Sequence, residues 1–445
     1  MANKNSSTRD VSVNSITIVT SGGKVFDVSQ MFNVLNIYED IFSSVVTGTI
    51  QIVDAAGMYA QLELHGNEFI FVSFNRPNTD DKYKRSFRIY KASDKKPGES
   101  QGQTYVLHFC SEELIFSNSQ SISKSFKGKV ITEYVRSICT GNLRINTNRI
   151  GAFENSIGIQ DVIIPRMSPL DAIQYFAENA FDHNESTFLF FENVDGFNFL
   201  PLTSLVRSDP LITLQYSNAK LTEDETTAAY QNANKISNFR FTNSFDMMET
   251  SKNMTYSGKL YTLDILRQKY VEKPYSASKM NKVHFIDGAN FPINNAPNRN
   301  NKAIFTEYDS HINYSMTNHD QSNAPYLLSK AYRVTDTNVE NTLLQRKSQL
   351  NLLKNTKIEC IVPGNILFTV GRVVNMDMPA FTRSTQAERT IDPYYSGKYL
   401  ITNTRHVITP SGGHQTILNL AKNSLASSLD RVVIANKEYV KARDL

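Results

Sequence analysis

Catalysis needs a nucleophile, an acid–base pair, a metal-ligand set or a phosphate cradle, and each leaves a recognisable spacing in a sequence. In this chain the spacings are fragments. Ser121-Ile-Ser-Lys124 has the S-x-x-K arrangement in which a lysine assists a nucleophilic serine, but the companion motifs of that chemistry are missing. It reads as a polar loop ahead of a helix. The eight histidines, His65, His108, His183, His284, His311, His319, His406 and His414, form no metal-ligand motif. His406 follows Arg405 inside an expected strand, where sheet packing or an interface role outweighs catalysis. Glu39-Asp40 and Glu112-Glu113 are adjacent carboxylates, and neighbours on a strand point to opposite faces, so without a special loop neither pair can jointly flank a glycosidic bond. Glu223-Asp224-Glu225 lacks the alternation of a calcium loop and reads as a solvated loop. Catalytic, cofactor-binding and metal-ligating residues are therefore all assigned as none.

The elements that would have to position such groups are mostly strands. In Thr47-Gly-Thr-Ile-Gln-Ile-Val, Ile50 and Ile52 alternate with polar neighbours, as a half-buried strand requires. Further strands are expected at 15–19, 24–26, 34–38, 68–74, 86–90 and 104–110, enough to close a small barrel over residues 1–116. Across 117–208 the period changes to helical. Val130, Ile131, Tyr134, Val135 and Ile138 share one helical face. Ser168 caps a second helix, with Pro169 in its first turn and Asp171 complementing its dipole. Phe188, Phe190 and Phe191 lie in a strand apolar on both faces, which assigns them to a core and not to base stacking. This strand turns at Asp195-Gly196 into a second, making an α+β module.

Strand character returns near 236–262 and dominates 356–421, where Val362-Pro363-Gly364-Asn365 and Thr409-Pro-Ser-Gly-Gly413 punctuate the runs. These two regions are expected to pair as a second barrel, in pieces 209–262 and 346–425, split by an irregular insertion at 263–345 rich in Asn, Pro and Ser. A charged tail, 426–445, follows. The fold class is thus mainly β with α+β: two small antiparallel β-barrels, an α+β module between them and an irregular insertion in the second barrel.

Composition narrows the function classes. A net charge of +4 over 445 residues is too small to indicate a nucleic-acid binder by itself. Three widely spaced cysteines, Cys110, Cys139 and Cys360, sit in apolar or strand-like surroundings and read as buried free thiols. The amino-terminal MANKNSSTRD lacks the hydrophobic core of a secretory signal, and no apolar run approaches the length of a membrane span.

Four segments carry a resemblance. The first is Leu35-Asn-Ile-Tyr-Glu-Asp-Ile-Phe-Ser-Ser-Val-Val-Thr-Gly-Thr-Ile-Gln-Ile-Val-Asp54, with Gly66 opening the next strand. The second is Ile164-Pro-Arg-Met-Ser-Pro-Leu-Asp-Ala-Ile173 with Phe190-Phe-Glu-Asn-Val-Asp-Gly-Phe197. The third is 239–245 with Gly258 to Asp264 and Lys269-Tyr270; the fourth is the 358–420 block with Gly364, Gly371 and Gly397. In this order they resemble the baseplate hub proteins of contractile-tailed (myovirus-type) bacteriophages, related to the base of type VI secretion spikes. Gly66, Gly258, Asp264, Gly364, Gly371 and Gly397 are its structural turn or strand positions.

The resemblance implies a homotrimeric ring in the virion, assembled in the host cytoplasm. Two barrels per chain would present six similar units to a hexameric tail tube on one face, while the other binds a trimeric central spike. Further baseplate proteins would surround it, and genomic DNA would pass through in transit. It implies no cofactor and no enzyme activity. The other readings are a virion-associated cell-wall hydrolase and a host-binding tail protein; the first needs an unassigned domain of sufficient size and the second internal repeats.

Overall fold

In a computed structural model, residues 11–427 are described apart from 63, 77–81, 98–101, 183–186, 217–233, 266–267, 278–283, 289, 292–311, 317–332, 335–338, 381–390 and 412. The acidic run 223–225, most of the insertion and all of the tail after 427 lie outside the described residues.

Strands dominate. The first group is β1 (Ser12–Val19), β2 (Val25–Asp27), β3 (Phe32–Asp40), β4 (Thr47–Asp54), β5 (Phe69–Asn75), β6 (Lys82–Pro97) and β7 (Gln103–Cys110). Next come β8 (Ile122–Lys129), β9 (Ile150–Phe153), β10 (Ile159–Met167), β11 (Phe188–Asn193), β12 (Gly196–Pro201), β13 (Pro210–Gln215) and β14 (Asn238–Asn243). The third group is β15 (Ser257–Asp264), β16 (Lys269–Ser276), β17 (Ile312–Met316) and β18 (Arg333–Val334). The last is β19 (Thr356–Pro363), β20 (Val373–Asp377), β21 (Gly397–Ile408) and β22 (His414–Lys422).

A single 13-stranded sheet joins the first and last groups, running β14-β19-β22-β21-β3-β4-β7-β6-β5-β1-β2, with β13 on β20 and β20 on β21. Alternation builds it: β4 buries Ile50, Ile52 and Asp54 on one face, and Gly48 leaves room for the Phe109 ring of β7. No ladder closes into a barrel among the described strands. Two hydrophobic cores share the ladder instead. One gathers Ile16, Ile37, Ile50, Val72, Phe87 and Leu107, and also takes Ile366 and Ile408 from the last strand block. The other gathers Val362, Phe368, Val373, Leu400 and Leu418 with Leu189 and Phe191.

The junction is one long strand. β21 pairs with β22 along one edge from Leu400 to Ile408. Its other edge is divided: Gly397–Leu400 pairs with β20 and Asn403–Ile408 with β3. The fork opens at Thr402, whose carbonyl accepts the Ile41 N–H at 3.0 Å.

The α+β module has its own core, in which Val135 and Ile138 of the helix Ile131–Gly141 meet Ile173 and Phe176 of the helix Pro169–Asn179. Ser168 caps the second helix as its sequence predicts, its Oγ accepting the Asp171 N–H at 3.2 Å. The β11–β12 hairpin is buried on both faces, sending Phe190 and Phe197 into this core and Phe191 into the neighbouring one.

Several expectations change in detail. Ser121-Ile-Ser-Lys124 is no loop; Ile122 starts β8, which pairs with β10. Glu112 and Glu113 occupy the first turn of a helix, Glu112–Ser119, where the dipole favours acidic residues, and not a strand. β14 does pair with β19 across the insertion, but β15 does not join that ladder. β15 forms a separate sheet with β16 and β17, covered on one side by the helix Val339–Leu352. The insertion therefore carries regular structure. Pro274 is tolerated in β16 because that strand is an edge.

Candidate functional site

The densest arrangement of ionisable side chains lies where the first sheet half, the hairpin and the last strand block meet. Its centre is Glu192 of β11, a carboxylate with no exposed side-chain surface directly after the apolar run Phe188-Leu-Phe-Phe. A buried carboxylate survives only when every lone pair finds a donor. Its Oε1 accepts from Arg85 of β6 and from Arg149, each at 2.7 Å. Its Oε2 accepts the Val46 N–H at 2.9 Å and the Ser111 hydroxyl at 2.5 Å. Arg149 also grips Glu113 at 2.6 Å, and Arg85 donates to the carbonyls of Asn193 and Val194.

Glu39 of β3 stands at the fork, where its Oε2 accepts from the Thr369 hydroxyl at 2.5 Å, the Val370 N–H at 3.2 Å and the Thr404 hydroxyl at 3.3 Å. Burial raises its pKa above the ordinary carboxylate value, and the hydrogen bonds from Thr369 and Val370 oppose the shift. Glu113 is raised too, by burial and then by the charge of Glu192. Tyr83, whose hydroxyl has no hydrogen-bond partner among the described residues, is pushed up by burial. The cluster thus sets three buried carboxylates against two guanidinium groups, of which Arg149 reaches the surface. Each carboxylate and guanidinium in it is tied to another part of the fold, so what the arrangement can do is hold β3, β6, β11 and the residues before β4 in one register.

Two smaller buried polar sites flank the fork. His406 Nδ1 lies 3.2 Å from His414 Nε2 and 3.2 Å from Thr416 Oγ1. Burial lowers the His406 pKa to about 4; His414 is lowered well below its usual value by burial, then by His406 and Arg76. Lys422 of β22 is fully buried and donates to Asp287 at 3.0 Å and to the Ser396 carbonyl at 2.7 Å, fastening the insertion to the sheet. Its pKa is lowered by burial, against the pull of Asp287.

The six positions singled out in the sequence are dispersed and form no common site. Gly66 (φ +90°) precedes β5, and Gly258 and Asp264 lie within β15, opposite Tyr275 and Lys269. Gly364 follows β19 where a Cβ would stand 1.9 Å from the His414 ring, so close approach is what requires glycine there. Gly371 (φ +84°) lies against Phe191, and Gly397 (φ +114°) opens β21 beside Asp287. Cys110, Cys139 and Cys360 are buried free thiols. The ion cluster escaped sequence reading because Arg85, Arg149 and Glu192 share no local spacing. One signal was present: an acidic residue directly after four consecutive apolar residues of a strand.

Among the described residues no three His, Cys, Asp or Glu side chains are grouped to hold a metal ion, and no helix is long and apolar enough to cross a membrane. No protein-family model and no curated protein matches the chain. Solved structures do. A tail protein from Neisseria meningitidis MC58 superposes with a TM-score of 0.51 at 11% identity, covering 93% of this chain and 99% of that one. The 43 kDa tail protein of prophage MuSo2 from Shewanella oneidensis gives 0.49 at 10% identity over 92% and 98%. An Escherichia coli component of the type VI secretion system gives 0.44 at 7% identity over 95% and 80%. The chain shares its fold with the Neisseria tail protein.

Proposed function

We propose that the chain is a structural component of a contractile phage tail: the baseplate hub, a homotrimeric ring between a hexameric tail tube and a trimeric central spike, with the genome passing through its lumen. The observation that carries this reading is the forked strand β21, which joins two strand assemblies with separate cores into one ladder. On this reading each core with its strands is one barrel-like unit. The first occupies 1–116; the second occupies 209–262 and 346–425, interrupted by the insertion 263–345; the module 117–208 spaces them, and the tail is 426–445. Three chains would then offer six units to a six-fold partner. Ring closure would also cover the outermost strands β14 and β2, which end the ladder among the described strands. Likeness to a tail protein across 93% of the chain supports the same reading. The buried ion cluster fits it as well, because a ring under load needs units that do not shift relative to one another.

Mass photometry of the purified chain, alone and with the spike protein encoded in the same genome, tests the proposal. A trimer, or a trimer formed on adding spike, is expected. A monomer at every concentration with spike in excess rejects it.

A further inference from the structure

A cleft of about 460 Å³ opens between β12, the helix Leu202–Arg207 that follows it and the turn leading into β20. Its floor is apolar, formed over the buried side chains Phe191, Leu205 and Val370 and extended outward by the partly exposed Leu211. Gly371 keeps the floor open: a Cβ there would lie 2.9 Å from the Phe191 ring.

The rim is acidic. Glu154 accepts one hydrogen bond, from the Ser204 hydroxyl at 2.8 Å, and no cation faces it among the described residues. Asp209 is exposed and has no polar side-chain partner among the described residues. Asp195 is held by Arg372 through both carboxylate oxygens, at 3.2 and 2.9 Å. Among the described residues Arg372 is the one basic side chain on the lining and is committed to Asp195, so Glu154 and Asp209 meet no described cation above the apolar floor.

We propose that this cleft docks a basic segment of a partner protein, one presenting lysine or arginine next to an apolar residue. The charge pattern selects the occupant. A long basic side chain lays its methylene stem on an apolar floor while its head reaches a carboxylate rim, and an acidic segment is repelled there. A small free polycation would satisfy Glu154 and Asp209 and leave the floor uncovered. The volume falls in the range of pockets that bury most of a bound group. The inference does not depend on the hub reading, since it uses only the surface of the single chain.

The test uses the full chain and a fluorescent octapeptide of alternating lysine and leucine, read by anisotropy. Alternating lysine–serine and glutamate–leucine peptides serve as comparators. The lysine–leucine peptide is expected to bind at micromolar concentration. The Glu154→Gln/Asp209→Asn double variant should weaken it about tenfold, and lysine–serine should bind about tenfold more weakly to the native chain. Both substituted positions are exposed, and an unchanged melting temperature verifies that the double variant is folded. No binding, equal binding by native chain and double variant, or equal binding of the lysine–leucine and lysine–serine peptides overturns the proposal.

Discussion

The His406–His414 pair predicts a specific acid sensitivity. His406 is fully enclosed, and its pKa stands at about 4 against an ordinary value of 6.5. Its folded value is the depressed one, so between pH 6.5 and 4 the unfolded chain binds the extra proton. Stability is therefore complete above pH 6.5, falls as the pH drops, and loses nothing further from this group below pH 4. At pH 5 the loss from His406 alone works out at about 2 kcal/mol, rising to about 3.4 kcal/mol below pH 4. Glu39 and Glu113 act in the opposite sense: their raised pKa values favour the fold at low pH and are a cost once the pH passes above them. The native profile is a sum of these, so a difference is needed. His406→Gln keeps a hydrogen-bonding side chain beside Thr416 and His414 but does not titrate. Urea unfolding of both proteins, followed by far-ultraviolet circular dichroism at pH 7.5 and pH 5, gives the comparison. With a slope of about 3 kcal/mol per molar urea, the native midpoint should fall about 0.7 M further than that of the variant. Parallel losses in the two proteins would refute the claim that His406 is held neutral in a closed site.

Other outcomes follow from the same geometry. Arg85→Ala leaves Glu192 short of a cation inside the core and should cost about 3–5 kcal/mol, whereas Lys129→Ala, which breaks the exposed pair with Glu133, should cost under about 0.5 kcal/mol; thermal melts that rank them otherwise contradict the cluster's role. Cys110 and Cys139, pushed up to about 12 by burial, should stay silent to a thiol reagent at pH 8 until denaturant is added, and native-state labelling at full rate would count against their burial. Gly364→Ala forces a methyl group against the His414 ring and should cost about 1–3 kcal/mol, while Gly141→Ala meets nothing within 4 Å and should be near neutral; equal melting shifts would dismiss the close-approach argument.

Local order was legible because short-range physics writes it. The alternation in Thr47–Asp54, the cap at Ser168 and the two-faced apolar run at Phe188–Phe191 each place an element within a residue or two. What could not be read depends on distant partners. Asn403 meets Asp40 across more than 360 residues, and no composition rule announces that one edge of β21 will be divided between two strands. The same applies to β15: its alternation marks a strand but leaves open which ladder receives it, and β16 and β17 win because they lie beside it in the insertion. The ion cluster is the extreme case, with Glu113, Arg149 and Glu192 on different elements and joined only after the α+β module has packed.

The forked strand has a mechanical consequence. Turning one half of the molecule against the other means sliding Asn403–Ile408 past Asp40–Leu35, which strains six cross-strand pairs at once, and it pulls Glu39 away from Thr369 and Val370. Bonds loaded side by side in this way share a force, whereas bonds at a peeling edge meet it one after another. β21 thus behaves as a stiff beam common to both halves. A torque entering through either half reaches the other with little loss, and compliance in a larger assembly is left to the contacts between molecules.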